Sequence, residues 1–200
     1  NNLYDFVLTF DQKLINKGQK YLYYPHGRCW IHNYEGIDDK TKFCSIFASD
    51  KAMTLGHRLR HMIIDRYRST DKMDCYGKYS GNVLEKKEDG LNPYRFSVTI
   101  ENAIVRGYWT EKLLDAFATK SIPIYYGDKF SVNKFFNEDG ILYFDTIEEL
   151  DEIMEKIQGD DNGVSFYEQR LDAIEENFKK VEEFRVPEDW IFEEYPFLFE

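Results

Sequence analysis

The sequence predicts an α/β domain in which a parallel sheet is flanked by helices, and three observations lead there. Segments with the composition of buried strands alternate with segments whose apolar residues recur at helical spacing, the pattern of consecutive β-α-β units. The 200 residues, 42% hydrophobic and 17% aromatic, suffice for one domain with a sizeable core. No internal repeat or long linker divides them, and no run approaches the roughly 18 apolar residues of a membrane span.

Taken in order, residues 6–10 read as a strand, and residues 21–30 (YLYYPHGRCW) are aromatic around a Pro-His-Gly turn. Residues 42–49 (KFCSIFAS) have the apolar and β-branched content of a buried strand. A helix over about 54–67 follows, with Leu55, Leu59, Met62 and Ile63 as its apolar face and Arg58, Arg60 and Arg66 towards solvent or a cleft. Residues 73–77 read as a short strand, and 78–93, with Gly81, Gly90 and a charged run at 85–89, as a loop. Residues 94–100 alternate as a strand. After a turn at 101–107, Thr110 is placed to cap a helix whose core face is Leu113, Leu114, Phe117 and Ala118. Residues 121–126 form a strand closed by Gly127, and 141–144 another. Thr146 caps a helix that faces the core through Ile147, Leu150, Ile153, Met154 and Ile157. One last long helix, about 165–184, is expected to pack through Leu171, Ile174, Phe178 and Val181. Over 185–200 the aromatics Trp190, Phe192, Tyr195, Phe197 and Phe199 are mixed with acids and are expected to lie on the domain's own surface.

The net charge of −11 opposes non-specific nucleic-acid binding, but it is unevenly spread. Residues 145–200 hold 5 Lys+Arg against 19 Asp+Glu, whereas residues 51–112 hold 12 against 8. An anion site is therefore expected within 51–112. Cys29, Cys44 and Cys75 lack Cys-x-x-Cys spacing and read as buried free thiols. His57 and His61 are four apart on a helix, as a zinc pair would be, without a third ligand pattern nearby.

Ligands of parallel sheets bind beyond the carboxyl ends of the strands, where helix N-termini also point. Two segments supply polar groups there, 96–102 (FSVTIEN) and 107–112 (GYWTEK). Lys112 in a first helical turn opposes the macrodipole, and an anion between its ammonium and the helix amides would resolve that conflict. Glu111 suits the dipole and is placed to accept hydrogen bonds from ribose hydroxyls.

Residues 101–128 (ENAIVRGYWTEKLLDAFATKSIPIYYGD) closely resemble the signature of the family 10 glycosyltransferases, the α-1,3/4-fucosyltransferases, with its Glu-Asn, Tyr-x-Thr-Glu-Lys and Pro-Ile-Tyr-x-Gly blocks. Upstream, 43–50 is similar to the family's Phe-x-Ser-Phe strand, 73–78 (MDCYGK) to its Val-Asp-x-Tyr-Gly-Lys, and 6–10 with Tyr24-Pro-His-Gly27 to the start of its domain. The likeness runs over about residues 5–150. It implies a Rossmann-like sheet, the C-terminal half of a GT-B type glycosyltransferase, that binds GDP-fucose. The implied reaction is inverting transfer of L-fucose to a hydroxyl of an acceptor oligosaccharide, typically N-acetylglucosamine or glucose in α-1,3/4 linkage. The resemblance places Asn102, Tyr108, Glu111 and Lys112 at the donor, with Lys112 at the diphosphate and Glu111 at the ribose. It makes Glu101 a support of the loop. The family's arginine falls on Arg58, with Arg60 as the alternative. Arg58 and Lys112 would then stabilise the departing GDP without a metal or other cofactor, in keeping with a sequence that has no Asp-x-Asp triplet. Ala103, Trp109 and Arg106 depart from the pattern, and Arg106 is either a further contact to diphosphate or fucose or a solvated loop residue. Tyr76 and Tyr126 read as core.

The family's acceptor-binding half and its general base precede the donor half. Residues 1–200 are thus expected to be a single donor-binding domain, with 1–40 as a lead-in segment, 185–200 as an acidic aromatic tail and no acceptor domain. The expected setting is cytoplasmic or membrane-peripheral in a microbe or virus, or the Golgi lumen behind an upstream anchor. Two other readings stay open: a transferase for another nucleotide sugar, and a non-catalytic domain that binds a nucleotide sugar or a protein.

Overall fold

The computed structural model describes residues 3–25, 27–31, 39–159 and 161–200. At the N-terminus, β1 (Val7–Thr9), α1 (Gln12–Ile15) and β2 (Tyr21–Tyr23) form a small unit in which the two strands pair in parallel. The expected Pro-His-Gly turn includes His26, which lies outside the described residues.

The main sheet has five strands, β3 (Lys42–Phe47), β4 (Asp74–Tyr76), β5 (Tyr94–Ile100), β6 (Ile122–Tyr126) and β7 (Leu142–Tyr143), all parallel. Their spatial order is β4-β3-β5-β6-β7. The chain therefore winds outward to β4 on one side of β3, returns to β5 on the other and continues to β7. Loops leaving β3 and β5 diverge at this reversal, and such a switch point opens a crevice at the carboxyl ends.

Helices cover both faces, as a parallel sheet requires. One face carries Ile46, Val98 and Ile124 against Ile63 and Ile64 of α2 (Leu55–Tyr67) and Leu150, Met154 and Ile157 of α5 (Ile147–Gln158). On the other, Tyr125 meets Leu113, Leu114 and Phe117 of α3 (Glu111–Ala118), with Trp109, Val132 of α4 (Lys129–Val132), Phe136 and Phe184 completing an aromatic layer. Thr146 caps α5 as the sequence suggests, and Glu149 completes a capping box with it.

Two helix expectations are corrected. The apolar face predicted for α2 is right at Ile63, which is buried, and at Leu59, which packs on the core, but Leu55 and Met62 are exposed, and the buried positions are Gly56, His57, Arg60, Ile63, Ile64 and Tyr67. A glycine and an arginine occupy inward positions at the cleft end, so counting apolar residues misplaces part of the face. The long C-terminal helix is broken into α6 (Val164–Glu168) and α7 (Leu171–Lys180), followed by a 3-10 turn at Val181–Phe184. At the break the Arg170 guanidinium stacks on Phe166 and donates to its carbonyl oxygen at 3.1 Å, occupying an acceptor that a continuing helix would use. Leu171 is exposed, and Asn177 takes an inward position because its amide grips both the N–H and the carbonyl of Asn137 (2.7 and 2.9 Å).

The C-terminal aromatics divide. Trp190, on α8 (Pro187–Glu194), is buried and the Tyr195 hydroxyl donates to the Tyr23 carbonyl at 2.7 Å, whereas Phe192 and Phe199 pair with each other in an exposed position. Among the described residues no helix is long and apolar enough to cross a membrane.

Candidate ligand-binding cleft

Beyond the carboxyl ends of β3 and β5 opens a cleft of about 450 Å³. Five cationic side chains line it, Lys51, Arg60, Lys78, Lys87 and Lys112, against one carboxylate, Glu111. Arg60, Lys87 and Lys112 also line an adjoining inner recess of about 40 Å³ over Ser97 and Thr99 of β5. The helices α2 and α3 open onto the cleft with their N-termini.

The first turn of α2 is set by contact with the end of β5. Thr54 caps it through a box with His57, whose backbone N–H donates to the Thr54 hydroxyl at 3.2 Å. The Gly56 N–H donates to the Asn102 carbonyl at 3.2 Å, and a Cβ there would collide with the Glu101 carbonyl and press on the Asn102 Cα. Only glycine allows this approach. One turn on, Arg60 is buried and donates through Nε and Nη2 to the Ile100 carbonyl (3.2 and 2.6 Å) and through Nη2 to Asn102 Oδ1 at 2.8 Å. Burial holds its basicity below the ordinary arginine value, with the charges of Glu101 and Glu111 opposing in part. Fixed on three bonds, its planar guanidinium stands at the mouth of the recess.

Charge builds the first turn of α3. Glu101 is fully buried, and its carboxylate accepts from the Thr110 N–H at 2.8 Å and the Thr110 hydroxyl at 2.7 Å. Thr110 starts the helix as expected, but its hydroxyl serves Glu101 rather than the helix amides. Lys112 Nζ then donates to the Thr110 hydroxyl and Glu111 Oε1, both at 2.9 Å, with Glu101 Oε2 at 3.6 Å. Burial would raise the Glu111 carboxyl, yet Lys112, Lys87 and Thr110 together hold it below the usual range. Burial raises the Glu101 carboxyl, with Lys112 and Thr110 opposing. The loop between is tied down where Gly107, at φ +86, donates its N–H to Asp128 Oδ2 (2.8 Å) and Ser131 Oγ (2.9 Å).

The structure brings Asn102, Glu111, Lys112 and Arg60 together in the cleft wall, with Glu101 behind them. Arg58 is not with them: it is exposed, does not line the cleft and donates to the Ala52 carbonyl at 3.3 Å. Arg106 is also outside, stacked over the Phe130 ring at 3.2 Å. Tyr108 is half-buried against Phe10, close enough to Glu101, Glu111 and Arg60 to feel their charges. His57 is engaged by Thr54, and His61 stacks on Tyr79 with Nε2 2.8 Å from the Ser49 carbonyl, so the pair is not arranged on one metal position. Tyr76 is core, its hydroxyl on that of Tyr94 at 2.6 Å. Nothing in the sequence marks Lys51, Lys78 or Lys87 one by one as cleft residues, although the basic excess over 51–112 contains all three.

A doubly wound parallel sheet with helix N-termini around a crevice at its switch point is the architecture of a GT-B glycosyltransferase domain. This fold is shared with a solved alpha1,3-fucosyltransferase with GDP (TM-score 0.63, 22% identity, 92% of this chain and 68% of that one). It is shared also with TarM of S. aureus, solved with UDP (TM-score 0.62, 13% identity, 100% and 44%). Residues 37–185 match the model of glycosyltransferase family 10 (fucosyltransferase), C-terminal domain, and the chain belongs to that family. Its relatives include a protein of Acanthamoeba polyphaga mimivirus named as a putative fucosyltransferase, 26% identical over 88% of this chain. Another is an alpha-(1,3)-fucosyltransferase of Helicobacter pylori, 29% identical over 65% of this chain. The chain spans about a third of the length of the first of these relatives and about a quarter of the second, 34% and 27% respectively.

Proposed function

We propose that the cleft binds the nucleotide of GDP-fucose, and that this domain is the donor-binding part of an inverting fucosyltransferase acting on a glycan hydroxyl. The observation that carries the reading is the convergence of Arg60 and Lys112 at one recess. The second turn of α2 and the first turn of α3 deliver them, each side chain fixed by acceptors of its own and facing a cleft with three further lysines. A diphosphate matches that charge; Arg60 rather than Arg58 takes the role of the family's arginine, because only Arg60 reaches the cleft. Family membership and a solved alpha1,3-fucosyltransferase with GDP-fucose (27% identity, TM-score 0.51, 72% of this chain and 46% of that one) support the choice of nucleotide and sugar.

In the proposed reaction, a base in an acceptor-binding half takes the proton of the acceptor hydroxyl. Its oxygen bonds to the anomeric carbon from the face opposite the phosphate. The bond from that carbon to the β-phosphate oxygen breaks, and GDP leaves with the electron pair. Arg60 and Lys112, already oriented, stabilise the charge that develops on the diphosphate. Glu111 holds the ribose hydroxyls, Asn102 orients Arg60 through its Oδ1, and Tyr108 closes the loop side. Because the wall supplies its own positive charge and its one carboxylate is engaged by Lys112, donor binding is proposed to need no divalent metal.

The test is a donor panel by calorimetry in EDTA with GDP-fucose, GDP-mannose and UDP-N-acetylglucosamine. Saturable binding of the guanine nucleotides alone is expected, with GDP-fucose tightest. Preference for the uridine nucleotide would replace this reading with a transferase for another sugar.

A further inference from the structure

We propose that Lys87 is a third phosphate-contacting cation of the cleft and that the buried carboxylate of Asp115 is its positioning residue, an inference that rests on the reading of the cleft as a diphosphate site. Lys87 stands on a 3-10 turn, Lys87–Gly90, in a charged run that reads in the sequence as a solvated loop. It is not solvated. Its Nζ donates to Asp115 Oδ2 at 2.6 Å, and it lines both the cleft and the inner recess beside Arg60 and Lys112.

Asp115 is the unusual partner. It lies on α3, one turn beyond Glu111 and Lys112, and its side chain is 0% exposed. A buried carboxylate is costly unless several donors compensate it. Here the Trp30 N–H (2.7 Å), the Cys29 thiol (3.5 Å) and Lys87 do so. The same arrangement holds Lys112, whose ammonium lies 3.6 Å from the fully buried Glu101. Thus α3 and the loop before it place two buried carboxylates behind the wall, and each steadies a lysine that is partly exposed to the cleft, 30% for Lys87 and 23% for Lys112. A pair serving packing alone would not need its ammonium in the wall of a recess. An ammonium carries three N–H donors; among the described residues Asp115 is the acceptor for one. The Trp30 ring, 5.8 Å from Nζ, adds a second restraint on its direction.

The experiment titrates wild type, Lys87→Gln and Lys87→Arg with GDP, inorganic pyrophosphate and guanosine at low and high salt, with thermal melting of each variant as the check on folding. Lys87→Gln is expected to weaken GDP and pyrophosphate about tenfold or more. It should leave guanosine unchanged and flatten the salt dependence of GDP binding, which a role in packing would not do. Lys87→Arg should restore GDP affinity to within about threefold, since a guanidinium also serves both carboxylate and phosphate. A folded Asp115→Asn variant should weaken GDP less than Lys87→Gln, because the lysine remains but is less well aimed. Wild-type GDP affinity in a folded Lys87→Gln variant would overturn the assignment while leaving the diphosphate reading intact. An equal loss for guanosine would overturn it in favour of a base contact. Wild type that binds neither GDP nor pyrophosphate would overturn the diphosphate reading and this inference with it.

Discussion

The two helices that open onto the cleft begin in different ways. At α3 the first turn is held by charge: Glu101 grips Thr110, and Thr110, Glu111 and Glu101 share the Lys112 ammonium. At α2 it is held by closeness: Gly56 lies against the backbone of Glu101 and Asn102, and Arg60 reaches across to the Ile100 carbonyl. Both first turns meet at Glu101, just past the carboxyl end of β5: α3 through Thr110 and α2 through Gly56, which also leans on Asn102. A site assembled from charge is sensitive to ionic changes, whereas one assembled from close packing is sensitive to volume.

That contrast is broken most severely at Gly56. In Gly56→Ala the added methyl meets backbone, which cannot swing aside, so α2 must move from β5. A loss of about 2–3 kcal/mol in urea denaturation is expected; unchanged stability would show that the approach is not tight. Next in size, Lys112→Ala should keep the fold, since the side chain is not part of the core, and lower GDP affinity at least tenfold by calorimetry. Wild-type affinity in that variant would remove Lys112 from the site. A smaller effect is expected from Thr54→Ala, which deletes the α2 cap for about 1 kcal/mol of denaturation stability. Because the charged first turn of α3 does not depend on Thr54, GDP affinity should change less than in Lys112→Ala. A larger change would mean that α2 and α3 are coupled beyond Asn102.

The smallest effect concerns pH. The Glu111 carboxyl lies below its usual range in the folded state, so its contribution to stability is present above the ordinary carboxylate range and is lost as pH falls through the folded value. Glu111→Gln should therefore be slightly less stable than wild type at neutral pH, and the gap should close in acid. A gap that persists unchanged in acid denaturation series would contradict the ion-pair account of the α3 N-terminus.

The same contrast explains what the sequence reveals. At α3 the proposed site residues Glu111 and Lys112 are consecutive and follow the Thr110 cap, and the apolar residues Leu113, Leu114, Phe117 and Ala118 set the helix phase without ambiguity, so both can be placed by pattern. At α2 the inward stripe includes Gly56 and Arg60, which no hydrophobic periodicity counts. Phase by apolar residues turns Arg60 outward with Arg58, and only the Ile100 carbonyl and Asn102 side chain, 40 and 42 residues away, show which arginine is drawn in. Lys87 is hidden for another reason. Its partner Asp115 is 28 residues distant and reads as the polar residue of an amphipathic helix, so neither advertises a buried pair. The parallel sheet, α5 and its Thr146 cap follow from local pattern, while the break between α6 and α7 depends on Arg170 turning back onto Phe166.

We propose that Arg60, from the second turn of α2, and Lys112, from the first turn of α3, hold the diphosphate between them. The most direct measurement is the GDP affinity of Arg60→Ala beside Arg58→Ala, by calorimetry in EDTA with melting curves for both. The account predicts at least a tenfold loss for Arg60→Ala and wild-type affinity for Arg58→Ala. Full affinity in a folded Arg60→Ala variant, with the loss at Arg58→Ala instead, would contradict it.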